Sequence, residues 1–179
     1  MNLPNKITLV RIFLVPLLVV FLITPSKLTS FLAMLIFTLA IFTDWLDGHL
    51  ARSTNQVTNL GKLLDPIADK LLIISALIPL VALNRVPAWM AVVLIGRELV
   101  VTGLRAIKAS EGIVIPSSQL GKYKMSFQVI AIIFLILNYK LFFINFHFIG
   151  MIVLWTAMLV SLISGIDYFL KFLTSKDLR

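Results

Sequence analysis

Six long apolar stretches, separated by short polar segments, divide the 179-residue chain. An α-helix needs roughly 20 apolar residues to cross a bilayer core about 30 Å thick, and each stretch is of about that length. No internal repeat or low-complexity segment interrupts the series. The pattern therefore predicts an all-α integral membrane protein, a single domain over 1–179 in which six transmembrane helices form one bundle. They are predicted near 7–24, 30–47, 61–83, 88–108, 122–139 and 146–171.

The composition agrees with a membrane location. Apolar residues make up 60% of the chain and the mean hydropathy is +1.03, which excludes an ordinary water-soluble globule. There is no cysteine, so a disulfide framework and a thiolate metal site are both excluded. Lys6 and Arg11 precede the first apolar run as in a signal peptide, but no small-residue cleavage site follows. We expect this segment to be retained as the first helix.

The positive residues indicate an orientation. With six spans, all 16 Lys and Arg residues except Lys27, Arg85 and Lys140 fall on the side that holds both termini. The positive-inside rule then places both termini in the cytoplasm. The formal charge of +8 suits contact with anionic lipid headgroups or with a phosphorylated substrate. Nothing in the sequence indicates a nucleic-acid partner.

Four of the eight acidic residues lie close together in the sequence. Asp44 and Asp47 are three residues apart at the end of the second predicted helix, and Asp65 and Asp69 are four apart near the start of the third. Each pair shares one helix face. A short polar loop joins the two helices, so we expect them to be antiparallel neighbours whose acidic faces converge.

A cluster of four carboxylates is costly unless cations neutralise it. Oxygen ligands of this kind suit Mg²⁺ or Mn²⁺, and two such ions about 3.5–4 Å apart can hold the attacking and leaving oxygens of a phosphoryl displacement. The competing interpretation is that the aspartates cap helices or pair with Arg52, Lys62 and Lys70. Small residues at Gly48, Ala51 and Gly61 leave room for a nucleotide, and Arg52 can bind a phosphate, although glycines in membrane helices also serve packing.

Residues 44–69, DWLDGHLARSTNQVTNLGKLLDPIAD, resemble the signature of the CDP-alcohol phosphotransferase family, DxxDGxxARx(8)GxxxDxxxD. This resemblance implies six helices and transfer of a substituted phosphate from a CDP-linked donor to an alcohol, with release of CMP. It also implies two divalent cations held by the four aspartates, with Asp69 as the base for the acceptor hydroxyl. Homodimers are common in the family, so we expect one here. The matching positions are Asp44, Asp47, Gly48, Ala51, Arg52, Gly61, Asp65 and Asp69.

Three later segments indicate the acceptor. Gly96-Arg97-Glu98, Gly103-Leu104-Arg105 and Gly121-Lys122-Tyr123-Lys124 resemble the branch of the family that transfers the phosphatidyl group of CDP-diacylglycerol to glycerol 3-phosphate. The opening residues resemble that branch too, which implies supporting roles for Asn5, Thr8 and Arg11. Met125 departs from the branch, where threonine is usual.

The same segments have a physical interpretation of their own. Arg97 and Arg105 are eight residues apart on one helix face, and Lys122 and Lys124 begin the next helix. A group of cations at a membrane is costly unless an anion neutralises it, and the phosphate of an acceptor is such an anion. Glu98 is expected to pair with one of the arginines. Alternatively, these cations only mark the cytoplasmic side or contact lipid headgroups.

Other functions stay open at this stage. A relative that uses serine or inositol phosphate as acceptor would carry the same donor signature. A metal-ion transporter would also need membrane carboxylates, but the acids lie at one edge only. A catalytically inactive scaffold is a third alternative. We expect a multi-pass protein of the cell inner membrane with its active site facing the cytoplasm, and an ion pair between Asp167 and Lys171.

Overall fold

The computed structural model describes residues 3–24, 26–53, 59–111, 119–141 and 144–174. Over these residues the all-α prediction is confirmed, because the chain forms six long helices. A hairpin of two-residue strands, β1 (Lys140–Leu141) and β2 (Ile144–Asn145), joins the last two helices. The helices are α1 (Leu3–Ile23), α2 (Lys27–Ser53), α3 (Asn59–Ala82), α4 (Ala88–Ser110), α5 (Gln119–Leu137) and α6 (Phe146–Thr174).

The helix ends differ from the predicted ones mainly in α2. This helix was predicted to end near residue 47 and instead continues to Ser53. The sequence estimate followed the end of the apolar run, whereas a helix can continue beyond it with polar side chains. As a result, Asp44 and Asp47 lie inside α2 rather than at its last turn.

α2 and α3 both pack against α1. Among the described residues, both helices pack extensively against α1 and also contact each other. The other half of the fold is built on α6, which packs along α5 and also contacts α4. α1 therefore supports both α2 and α3, and the predicted convergence of their acidic faces lies outside the described side chains.

The interior of the bundle is apolar, and so is much of its outer surface. Phe13, Val92 and Phe148 are 76%, 70% and 64% exposed, on α1, α4 and α6. Exposed apolar surface of this extent suits acyl chains better than water. The core contains the fully buried Leu18, Phe37, Leu80, Leu94, Ile132 and Leu154.

The described helices differ in the length of their apolar segments. Of the described helices, α6 is both long and apolar enough to cross a membrane by its length and composition. Shorter apolar segments lie in α1, α2 and α5, at Leu9–Ile23, Lys27–Thr43 and Tyr123–Leu137. Six spans with cytoplasmic termini stay a prediction.

The turn between α3 and α4 is fastened to the end of α5. Asn84 adopts the left-handed conformation, with φ 55°. Arg85 then donates from Nη1 to the carbonyl oxygens of Ile136 and Leu135, at 2.7 and 3.2 Å. Burial lowers the pKa of Arg85 from its ordinary value. These bonds satisfy carbonyls that the helix end would otherwise leave unpaired.

Candidate active site

A cavity of about 260 Å³ lies among α3, α4, α5 and α6. Five of the site residues predicted from the sequence line it, namely Asp69, Arg97, Glu98, Arg105 and Lys124. Lys70 lines it too, although the sequence indicated it only as a structural partner of the aspartates. Four basic and two acidic side chains give the lining a formal charge of +2, which complements a phosphate dianion.

Arg97 is held in place by α6. Its Nε donates to the carbonyl oxygen of Ser161 at 2.9 Å, and its Nη2 donates to Ser164 Oγ at 2.8 Å. Gly165 leaves room for this approach, because a Cβ there would lie 3.2 Å from Arg97 Cγ, closer than an ordinary contact. The guanidinium is therefore oriented before any ligand arrives.

Lys124 is buried and forms an ion pair with Glu98. The predicted pairing of Glu98 with an arginine is confirmed, since Arg97 Nη1 lies 4.0 Å from Glu98 Oε2, but Lys124 is the nearer partner. The other two nitrogens of Arg97, Nε and Nη2, bond to α6. Glu98 thus neutralises the buried ammonium of the neighbouring helix, α5.

Arg105 lies at the same cavity and stacks on α6 in a different way. Its guanidinium carbon is 5.7 Å from the centroid of the Tyr168 ring, a cation–π contact. Lys108, one turn further along α4, is buried but pairs with Glu111 at 3.0 Å and does not line the cavity. The predicted pair of Asp167 and Lys171 is confirmed at 2.7 Å.

Asp69 is anchored by α1. Arg11 is fully buried and donates from Nη1 to Asp69 Oδ1 at 3.1 Å. The Asp69 side chain is one-third exposed and lines the cavity. A guanidinium from α1 thus fixes the carboxylate that was predicted to accept a proton.

The rest of the predicted donor and metal site lies outside the described side chains. Backbone positions are described, and the helical course of α2 and α3 keeps Asp44 with Asp47, and Asp65 with Asp69, on shared helix faces. These backbone positions are compatible with the predicted metal ligands. Of the four aspartates, Asp69 alone has a described side chain. The side chains not described are those of Asn5, Thr8, Asp44, Asp47, Gly48, Ala51, Arg52, Gly61, Asp65 and Lys122.

Several neutral residues of the cavity were missed by the sequence analysis. Gln128 and Tyr168 line it, as does Ser164, which also binds Arg97. For Gln128 a signal was available, because an amide one turn after Lys124 interrupts an apolar run. For α6 the local sequence gives no indication of which face meets α4.

Comparison with known proteins gives a consistent result. The family model for CDP-alcohol phosphatidyltransferase matches residues 1–163. A Bacillus subtilis protein named CDP-diacylglycerol–glycerol-3-phosphate 3-phosphatidyltransferase is 42% identical over 95% of this chain and 94% of its own. A Rickettsia felis protein of the same name is 38% identical, over 94% and 93%. A Mycobacterium tuberculosis protein named probable phosphatidylglycerophosphate synthase is 39% identical, over 93% and 79%. The chain belongs to the CDP-alcohol phosphatidyltransferase family.

Proposed function

We propose that this chain transfers the phosphatidyl group of CDP-diacylglycerol to glycerol 3-phosphate, giving phosphatidylglycerophosphate and CMP. The observation that carries the proposal is the cavity in which an anchored carboxylate, Asp69, lies with three cations, Arg97, Arg105 and Lys124. Relatives whose names state this reaction cover nearly the whole chain.

The reaction needs one proton transfer and one displacement. A terminal hydroxyl oxygen of glycerol 3-phosphate forms a bond to the lipid-bearing phosphorus of CDP-diacylglycerol. The bond from that phosphorus to the oxygen of CMP breaks, and CMP leaves with the electron pair. Asp69 takes the hydroxyl proton, and Arg11 holds its carboxylate toward the acceptor.

The phosphate of the acceptor is assigned to the cations of the cavity. Arg97 presents donors already oriented by Ser161 and Ser164, so little ordering is needed on binding. Arg105 and Lys124 add charge, and Lys122 begins the same helix as Lys124. A dianion balances the net charge of the cavity, whereas an uncharged acceptor such as inositol would leave it unneutralised.

The donor side is assigned to the aspartates and their neighbours. Two divalent cations, Mg²⁺ or Mn²⁺, held by Asp44, Asp47, Asp65 and Asp69, would supply charge neutralisation for the displacement. Gly48, Ala51 and Gly61 leave room for the nucleotide, and Arg52 binds its phosphate. Asn5 and Thr8 support this end of α1.

The membrane setting follows from the same proposal. Six spans with both termini in the cytoplasm place the charged cavity near the cytoplasmic surface of the inner membrane. The acyl chains of the donor then stay in the bilayer while the CDP headgroup reaches the site. The protein acts as a homodimer, as is common in the family.

CMP release tests the proposal directly. Detergent-purified protein is given CDP-diacylglycerol with Mg²⁺ or Mn²⁺, and glycerol 3-phosphate, serine, inositol and inositol phosphate are compared as acceptors. We expect release that depends on glycerol 3-phosphate. Release that depends on another acceptor instead would overturn the assignment within the family.

A matched pair of variants tests the role of Asp69. Asp69→Asn keeps the shape of the side chain but removes the base, so we expect CMP release to fall at least a thousandfold while CDP-diacylglycerol still binds. Asp167→Asn is the control, because Asp167 pairs with Lys171 outside the cavity, and its activity should stay near the wild-type level. Full activity of Asp69→Asn would contradict the role.

A further inference from the structure

Two buried polar groups in the cavity have no hydrogen-bond partner among the described residues. They are Gln128 Nε2 and the Tyr168 hydroxyl, on side chains only 2% and 5% exposed. Both residues line the cavity. Buried polar groups in folded proteins are nearly always paired, so these two point to a ligand that supplies the missing partners.

Each of the two groups adjoins a cation assigned to the acceptor phosphate. Gln128 lies one helical turn after Lys124, on the same face of α5. The ring of Tyr168 carries the guanidinium of Arg105 at 5.7 Å. An acceptor whose phosphate is held by these cations therefore brings its remaining atoms close to the amide and the phenol.

The chemistry of the acceptor indicates which atoms those are. Glycerol 3-phosphate has a phosphate, a terminal hydroxyl that reacts and a middle hydroxyl that does not. The middle hydroxyl loses water on entering the cavity and needs both a donor and an acceptor in return. An amide N–H group and a phenol, which donates and accepts, meet that need.

We infer that Gln128 and Tyr168 bind the non-reacting hydroxyl of the acceptor and select a phosphorylated polyol over a simple hydroxyalkyl phosphate. The inference rests on the proposed function, since it concerns the acceptor of that reaction. The two residues act as specificity determinants, and the proton transfer itself stays with Asp69.

The test uses an acceptor that differs by one hydroxyl. 3-Hydroxypropyl phosphate keeps the phosphate, the chain length and the terminal hydroxyl of glycerol 3-phosphate, and it lacks the middle hydroxyl. In the wild-type protein we expect kcat/KM for glycerol 3-phosphate to exceed that for the analogue by about 10- to 100-fold, because the analogue leaves the two buried groups unpaired.

Two variants that conserve side-chain volume then test whether Gln128 and Tyr168 cause the preference for glycerol 3-phosphate. Gln128→Met and Tyr168→Phe remove the polar groups, and the phenylalanine keeps a ring under Arg105. We expect each to lower kcat/KM for glycerol 3-phosphate about tenfold while the analogue changes about twofold at most. Tyr139→Phe is the control: it is the same exchange at a tyrosine that follows α5 and does not line the cavity, so the ratio of the two acceptors should stay at the wild-type value.

Two outcomes would overturn the inference. One is a wild-type protein that uses both acceptors equally well, and the other is a loss in the variants that falls equally on both acceptors, as a packing defect would. Tyr168→Phe removes a single oxygen and serves as the test if Gln128→Met does not fold. Failure of the proposed function is distinguishable, because wild-type protein would then release CMP with serine or inositol phosphate and not with glycerol 3-phosphate.

Discussion

Arg97 shows how a single side chain can be prepared for its ligand. Two of its nitrogens bond to α6, at Ser161 and Ser164, and a glycine at 165 leaves room for its chain. The bonds use Nε and Nη2, and Nη1 lies 4.0 Å from Glu98. A guanidinium fixed in this way keeps its charge and direction without a ligand, which lowers the ordering cost of binding a phosphate.

Arg97→Lys tests whether this fixed geometry matters beyond charge. A lysine keeps the positive charge but cannot bond both Ser161 and Ser164 while facing the cavity. We expect the KM for glycerol 3-phosphate to rise about 10- to 100-fold, with a much smaller change for CDP-diacylglycerol. Initial rates of CMP release, with each substrate varied in turn, measure both values.

A matched exchange provides the control for that experiment. Lys171→Arg changes an exposed cation on α6 whose partner is Asp167, outside the cavity, so both KM values should match the wild type. If Arg97→Lys also left the KM for glycerol 3-phosphate unchanged, Arg97 would not bind the acceptor phosphate through its guanidinium geometry.

At the scale of elements, α6 connects the core to the site. Near its start, Gly150 packs against α5, and a Cβ at this position would lie 2.8 Å from Leu135 Cγ. Near its end, Ser161, Ser164 and Tyr168 face the cations of α4. Small residues let helices approach closely within a membrane, where dispersion contacts and hydrogen bonds hold them together. Close packing at one end therefore sets the position of the site at the other.

Gly150→Ala should loosen this packing. The added methyl group overlaps Leu135, so α5 or α6 must shift, and we expect a loss of about 1–3 kcal/mol in the free energy of unfolding. Gly103→Ala on α4 is the control, since nothing lies within 4 Å of its Cβ position and alanine favours a helix by up to about 1 kcal/mol. Thermal unfolding in detergent compares them, and equal transition temperatures would argue against close packing at Gly150.

Hydropathy and charge predict different parts of this structure. Hydropathy predicts six helices because a bilayer requires apolar runs, but it marks where a helix leaves the apolar layer and not where it ends, as the extension of α2 to Ser53 demonstrates. Charges are rare in such a chain, so the cations and carboxylates of the cavity, apart from Lys70, could be selected from sequence.

What could not be predicted depends on contacts between helices distant in sequence. Ser164 and Tyr168 contact the arginines of α4, and nothing in the sequence of α6 indicates these contacts. Likewise, the ion pair of Glu98 with Lys124 follows from how α4 and α5 meet, whereas its pair with Arg97 within α4 could be predicted. The sequence periodicity of a helix shows which residues share a face. Which residues of another helix that face contacts depends on how the helices pack together.

At the scale of the whole molecule, the arrangement in the membrane is the main prediction left to test. The charged cavity lies among helix segments assigned to the cytoplasmic side, and the apolar side chains on the outer surface suit lipid. With six spans, Lys27 at the start of α2 and Thr174 at the end of α6 lie on opposite sides of the bilayer. Both side chains are exposed, so each can report its side.

The absence of cysteine from the chain makes the topology measurable by labelling single introduced thiols. Lys27→Cys should react with a membrane-impermeant maleimide in intact cells, and Thr174→Cys should react only after permeabilisation. Neither change weakens the positive charge of the cytoplasmic side, so orientation is preserved. The unlabelled parent chain and retained CMP release are the controls. If Thr174→Cys reacted in intact cells and Lys27→Cys only after permeabilisation, the predicted orientation would be wrong. If both variants reacted in intact cells, residues 27 and 174 would lie on the same side of the membrane. The five helices from α2 to α6 could then not all cross it, and the six-span arrangement would be wrong.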